Sequence, residues 1–301
     1  MMSRYTYRGV EWIDLMTPTR AEVEEIVNDG LISADVAYEL LAPAPEQRGI
    51  FSGGTILMIL YFFANRQAHH NEVQELDVAI TDKALITARY DTIESVEVFA
   101  QTLESDPAKD TKPNLSPAHL AAALLDRVYT SEEHEVELVV REVSKAQEEI
   151  FSTSRIETVS TLAQLGRVVV NMVHHLSQHN DVFEMVRSQD KQMAPNVREA
   201  LSVIEKVHGR LMRRLLHAGT LLKELKEANN TLLSTWQEDM QRKLSGVAVT
   251  VLPATFFVGM LSMSPIGLES GKSWAVFFGV SAISLVVLSM SFLFAKVNKW
   301  L

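Results

Sequence analysis

Two stretches near the C-terminal end, Leu244 to Met263 and Trp274 to Ala295, carry no charged side chain. Each is about the 20 residues a helix needs to cross hydrocarbon. The linker from Ser264 to Ser273 holds Glu269 and Lys272 as its charges. So short a linker closes a helical hairpin, and both outer ends then emerge on one side. Arg242 and Lys243 precede the first stretch, and Lys296 and Lys299 follow the second. Basic residues favour the cytosolic face. The expectation is a multi-pass protein of the cell (inner or plasma) membrane, with both termini cytoplasmic, the 264–273 loop outside and the lipid bilayer as a partner. The alternative for the same residues is a buried helical hairpin in a soluble core.

The run leading into the first stretch narrows the possibilities further. After Pro195, suited to a first helical turn, no proline occurs until Pro253. A helix from Pro195 through the first span would hold about 70 residues and reach on the order of 100 Å. That is a stalk, since no compact domain would contain it. Val197, Leu201, Ile204, Leu211, Leu215, Leu222, Leu225 and Leu232 follow alternating three- and four-residue steps, a seam for packing on other helices. His208, Ala218 and Asn229 fill the remaining places. Nearer the membrane a second row is polar: Glu227, Thr231, Ser234, Glu238 and Gln241. It continues into Ala248, Leu252 and Thr255. A polar row entering a span points to a water-filled axis in a homo-oligomer, or to an ordinary wet helix face.

The N-terminal part mixes strand and helix signals. Residues 5–15 read as two strands broken at Gly9; Thr17-Pro18 opens a helix with threonine as cap, and a second helix runs from Ser33 to before Pro43. Thr55 to Phe63 is β-prone, and residues 75–81 and 84–90 form a hairpin about Asp82-Lys83. A helix from Thr92 to Glu104 completes this α/β unit. From Ser116 onward the chain reads as helical, through an acidic stretch that holds Glu132, Glu133, Glu135, Glu137, Glu142, Glu148 and Glu149. The resulting organisation is an α/β cytosolic domain (1–112), an acidic helical region (113–194), a stalk helix (195–243), a first transmembrane helix (244–263), an outer loop (264–273), a second transmembrane helix (274–295) and a basic tail (296–301). The fold class is an α-dominated membrane protein with an α/β N-terminal domain.

Composition removes several function classes. The formal charge of -10 argues against nucleic-acid binding, which needs an excess of Lys and Arg. Without cysteine there are no disulfides, thiolate metal sites or thiol nucleophiles. Gly53-Gly54 has no phosphate-loop spacing, and no catalytic constellation stands out, so neither an enzyme nor an organic cofactor is expected. His175 and His179 are one turn apart, a spacing at which two imidazoles can share a metal, but no third ligand is assignable. His69-His70 lies in a loop-like stretch.

This organisation resembles the CorA family of magnesium and related cation transporters over nearly the whole chain. Leu252-Pro-Ala-Thr-Phe-Phe-Val-Gly259 resembles the family's inner-span stretch, and Trp12-Ile-Asp-Leu15, Ile80 to Thr87 and the Lys-containing tail 296–301 also look familial. The resemblance implies a divalent-cation channel or transporter, with Mg²⁺ the leading ion. It also implies a homo-oligomer, pentameric in the family, whose pore is lined by the first span. Thr255 matches the family's threonine. Counting from Pro253 and Gly259, Ser262-Met263-Ser264 stands where the family carries Gly-Met-Asn, the signature thought to grip the hydrated ion. Mg²⁺ sheds water reluctantly, so hydrogen bonds to its waters are a natural filter. The expected pore-lining residues are Glu227, Glu238, Gln241, Leu252, Thr255, Gly259, Ser262, Met263 and Ser264. Glu39 matches one partner of the family's cytosolic regulatory acid pairs, whereas the other position reads Val203, with Glu205 close by. The altered signature leaves two alternatives: a zinc transporter of the ZntB type, or a ligand-gated or non-transporting membrane effector on the same scaffold.

Overall fold

The structure, a computed structural model, describes residues 1–63, 73–106, 115–152, 155–189, 193–262 and 273–297. His69-His70, most of the 105–113 boundary, Met263 and Ser264 with nearly all of the 264–273 loop, and most of the basic tail lie outside the described residues. The chain divides into two compact units, Met1–Lys226 and Glu227–Leu301.

The first unit is built on one six-stranded sheet. Its strands are β1 (Met2–Tyr7), β2 (Val10–Met16), β3 (Arg48–Ser52), β4 (Thr55–Phe63), β5 (Val73–Ile80) and β6 (Ala84–Arg89). They lie in the order β1-β2-β6-β5-β4-β3, with β2 and β6 parallel and every other neighbouring pair antiparallel. Arg8 and Gly9 join β1 to β2 with φ of 48° and 80°, the left-handed pair of a tight hairpin turn. Helices α1 (Arg20–Asn28) and α2 (Ala34–Glu39) cover one face. Helix α3 (Glu94–Ser105) and the longer α4 (Pro117–Ser152) and α5 (Arg155–Arg187) pack toward the other.

Strand β4 shows why both faces are covered. Ile56, Met58, Leu60 and Phe62 point into the larger core beneath the long helices, and Leu57 and Ile59 into the smaller core beneath α1 and α2. A strand buried on both sides reads as a continuous apolar run, and Thr55–Phe63 has that pattern. Each fully buried large side chain contributes about 1.5–3 kcal/mol.

The start of α1 departs from the sequence expectation. Thr19, not Thr17, is the N-cap. Its hydroxyl accepts from the Glu22 N–H, and the Glu22 carboxylate accepts from the Thr19 N–H at 2.9 Å. This reciprocal capping box satisfies two orphan helix donors, which a cap at Thr17 would not. Thr17 instead takes a φ of 49° as the chain leaves β2.

Helix α6 (Pro195–Ser262) runs unbroken for 68 residues, and α7 (Ser273–Val297) follows it. The expected seam is buried from Leu201 through Ile204, His208, Leu211, Leu215, Ala218, Leu222 and Leu225 to Asn229. Leu232, next in the same row, is 40% exposed.

Candidate pore segment and buried polar clusters

The residues expected to line a pore fall on α6, except Met263 and Ser264, which lie outside the described residues. Glu227, Thr231, Ser234, Glu238 and Gln241 are all exposed, so the polar row stands free of the chain's own core. Leu252, Thr255 and Gly259 are exposed as well. Pro253 sits inside the helix, where it supplies no N–H to the turn before it. Thr255 Oγ1 donates to the Leu252 carbonyl at 2.9 Å, which settles the hydroxyl against its own helix while leaving its lone pairs available.

The apolar surface around this row is large. Leu244, Leu252 and Phe256 are 65–70% exposed, as are Leu285 and Met290 of α7 at 65% and 71%. Large apolar side chains exposed together on described residues mark a surface that another phase or another chain covers. Among the described residues, however, no helix is long and apolar enough to cross a membrane.

The acids considered for a regulatory cation site are ion-paired within the chain. Glu39 pairs with Arg48 of β3, and Glu205 pairs with Arg187. Val203 is exposed on α6. His179 is fully buried: its Nε2 donates to the Tyr61 carbonyl at 3.0 Å, so its Nδ1 accepts from the Tyr129 hydroxyl at 2.7 Å. Both nitrogens are engaged, which leaves no lone pair for a metal shared with His175. His208 lies beside it, ring centroids 5.5 Å apart, and donates to the Leu176 carbonyl at 2.8 Å. Among the described residues no three His, Cys, Asp or Glu side chains group to hold a metal ion.

Two clusters escaped the sequence reading. Glu132, in the acidic stretch of α4, is 3% exposed; its Oε1 accepts from the Phe63 N–H at 2.9 Å and its Oε2 has no partner. Burial outweighs that hydrogen bond and pushes its carboxyl up to about 8. A signal was present. Tyr129, Glu132, Val136, Val139, Val143 and Ala146 follow three- and four-residue steps, which places Glu132 on the buried face. The second cluster lies on β5, where Glu75 accepts from the Ala44 N–H and Asp77 is wholly buried, its Oδ2 accepting from Tyr90 at 3.3 Å. Burial, then the Glu75 charge, holds Asp77 well above the usual carboxylate range. The nearby Tyr61 hydroxyl is pushed up to about 12, first by burial and then by the two carboxyls.

Comparison with known proteins places this architecture. The zinc transport protein ZntB of Yersinia pseudotuberculosis is 22% identical over 308 residues, covering 99% of this chain and 86% of that protein, and the Yersinia pestis protein matches to the same extent. The CorA magnesium transporter of Methanocaldococcus jannaschii superposes with a TM-score of 0.80 at 14% identity, covering 97% of this chain and 92% of that one. The full-length CmaX protein superposes with a TM-score of 0.69 at 15% identity, over 94% and 88% of the two chains. The sequence model for the CorA-like Mg²⁺ transporter protein family matches residues 7–296. The chain belongs to the CorA-like Mg²⁺ transporter family.

Proposed function

We propose that this chain forms a homo-oligomeric, pentameric channel or transporter for divalent cations. In this reading the far end of α6 lines the pore and α7 is the second span at the lipid. The observation that carries it is the continuity of α6: one helix holds a buried seam as far as Asn229 and an exposed polar row beside exposed apolar residues beyond. Family membership supports a transporter rather than an enzyme.

Thr255, Gly259 and Ser262-Met263-Ser264 form the outer filter, and Glu227, Glu238 and Gln241 line its inner approach. The cation is substrate, taken with its waters. Mg²⁺ is the leading ion. Zn²⁺ is the second reading, supported by the zinc transport proteins among the relatives. A regulatory cation at Glu39 would have to displace Arg48.

The test is ion uptake by vesicles reconstituted with the full chain, using Mg²⁺ and Zn²⁺ separately. Thr255→Ala lowers flux and Ser264→Asn shifts the preference toward Mg²⁺. No flux of either ion, across a range of internal ion concentrations, sinks the proposal.

A further inference from the structure

Between α3, α4 and the adjoining ends of β4 and β5 lies a cavity of about 690 Å³, a size suited to a small molecule. Its wall is of two kinds. Phe62, Phe63, Ile93, Val98 and Val128 supply apolar surface, whereas Glu132 and Glu135 supply carboxyls from neighbouring positions on α4. These two side chains are 3% and 8% exposed, and the Oε2 of each is buried without a hydrogen-bond partner. A buried acceptor left unpaired is costly, so a ligand that donates hydrogen bonds to both oxygens relieves the site. Glu94 and Glu97 of α3 add negative charge, against Arg127 of α4. The described residues offer no three-ligand metal group, so direct chelation is not the chemistry on show.

We propose that this cavity binds a small alkylammonium cation of the diamine or polyamine class, its N–H groups donating to Glu132 and Glu135 and its methylenes lying on Phe62, Phe63 and Val128. The pairing uses both kinds of wall: a hydrated metal ion has no use for the apolar side, and a neutral hydrocarbon would leave the carboxyls unpaired. Burial holds the Glu132 carboxyl up to about 8, so an arriving ammonium displaces a proton at neutral pH. The titratable and charged groups that share the cavity with that carboxyl are Glu135, His134 and Arg127 of α4 with Glu94 and Glu97 of α3, and Tyr129 lies within its field. Burial also raises the Tyr129 hydroxyl, which keeps its proton. Every residue of this site belongs to the first compact unit, and none is among those proposed to line the pore.

Titration calorimetry of the full-length chain in detergent tests the proposal, with putrescine, spermidine, choline and Mg²⁺ as separate probes. Putrescine or spermidine binds, and at pH 7 the heat depends on the ionisation heat of the buffer because a proton leaves. Glu132→Gln is nearly isosteric with the protonated acid; it weakens binding by about tenfold or more and removes the buffer dependence. Glu135→Gln weakens binding and keeps that dependence. Val98→Trp fills the cavity while leaving both carboxyls in the sequence and abolishes binding. Choline, a cation without N–H donors, does not bind. Equal spermidine affinity in wild type and both Gln variants overturns the proposal. So does choline binding as tightly as the amines, or a response to Mg²⁺ alone.

Discussion

The Tyr129 hydroxyl donates to Nδ1 of His179 at 2.7 Å, joining α4 to α5 across 50 residues of sequence. Because Nε2 of the same ring faces the Tyr61 carbonyl, the imidazole is held as one neutral tautomer. Burial, reinforced by His208, lowers His179 to about 3, and burial lowers His208 as well. The unfolded chain protonates these groups near pH 6.5 while the folded one resists. The His179 contribution is therefore present above about pH 6.5 and is lost as pH falls toward 3, at up to about 1.4 kcal/mol per pH unit, and His208 adds to it with the same sign. Denaturant unfolding of wild type and His179→Phe between pH 4 and 7 measures it, the wild type losing stability relative to the variant as the pH falls.

Glu132 acts in the opposite sense. Its folded carboxyl titrates at about 8, so its stabilisation is full below about pH 4.5 and is lost as pH rises through 8. Between about pH 4.5 and 6.5 it opposes His179, and Glu75 and Asp77, whose carboxyls burial also raises, act in the same sense as Glu132. Glu132→Gln therefore raises stability at pH 8 relative to wild type and leaves it nearly unchanged at pH 5. A wild-type curve flat from pH 6.5 to 8 contradicts this.

Arg89 donates to Asp14 Oδ2 through Nε at 3.2 Å and Nη2 at 3.1 Å, and Thr87 bridges Asp14 Oδ1 to the Trp12 indole N–H. Both charged side chains are nearly buried, at 7% and 6% exposed. Removing one partner strands a buried charge, so Arg89→Met costs about 3–5 kcal/mol. The double change Asp14→Leu with Arg89→Met costs less than the sum of the two singles. A double-mutant cycle in urea reads the coupling, and strict additivity argues against it.

How much of this was legible depended on periodicity. The α6 seam was readable because helix packing repeats, and even its polar members His208 and Asn229 are buried where the spacing put them. Strand β4 was readable because a run with β-branched residues and no charge suits a doubly covered position. Glu132 was hidden in the acidic stretch, since seven glutamates close together drown the one on the apolar stripe. His179 met the same fate: its one-turn relation to His175 suggested a metal pair, yet Met172, Leu176, His179, Phe183 and Val186 form the buried stripe of α5. The proposed pore depends on other copies and on lipid, and one chain's periodicity shows neither.

Gly49 shows what pattern reading leaves out. A Cβ built there would meet the Val182 carbonyl oxygen of α5 at 2.9 Å and Val186 Cγ2 at 3.1 Å. Glycine is needed for the closeness of β3 to α5, and its backbone conformation is ordinary. Gly49→Ala pushes the helix off the strand and costs about 1–3 kcal/mol, measurable as a lower denaturation midpoint. Gly54→Ala meets no neighbour but is strained by its φ of 83°, so its loss arises from the backbone.

Leu215 and Leu232 occupy the same row of α6 in opposite circumstances. Leu215 is fully buried, so Leu215→Ala removes packed methyl groups and costs about 2–5 kcal/mol of the chain's own stability. Leu232 is 40% exposed, and its truncation costs the isolated chain far less. If the row continues as a contact between copies, Leu232→Ala leaves the unfolding midpoint of the first unit intact while lowering the detergent concentration at which the assembly dissociates. Light scattering and native mass spectrometry report the second quantity, and chemical denaturation the first. An assembly indifferent to Leu232→Ala means the contact row ends at Asn229 and the copies meet elsewhere on α6 or α7, which would move the pore axis away from Glu227, Glu238 and Gln241.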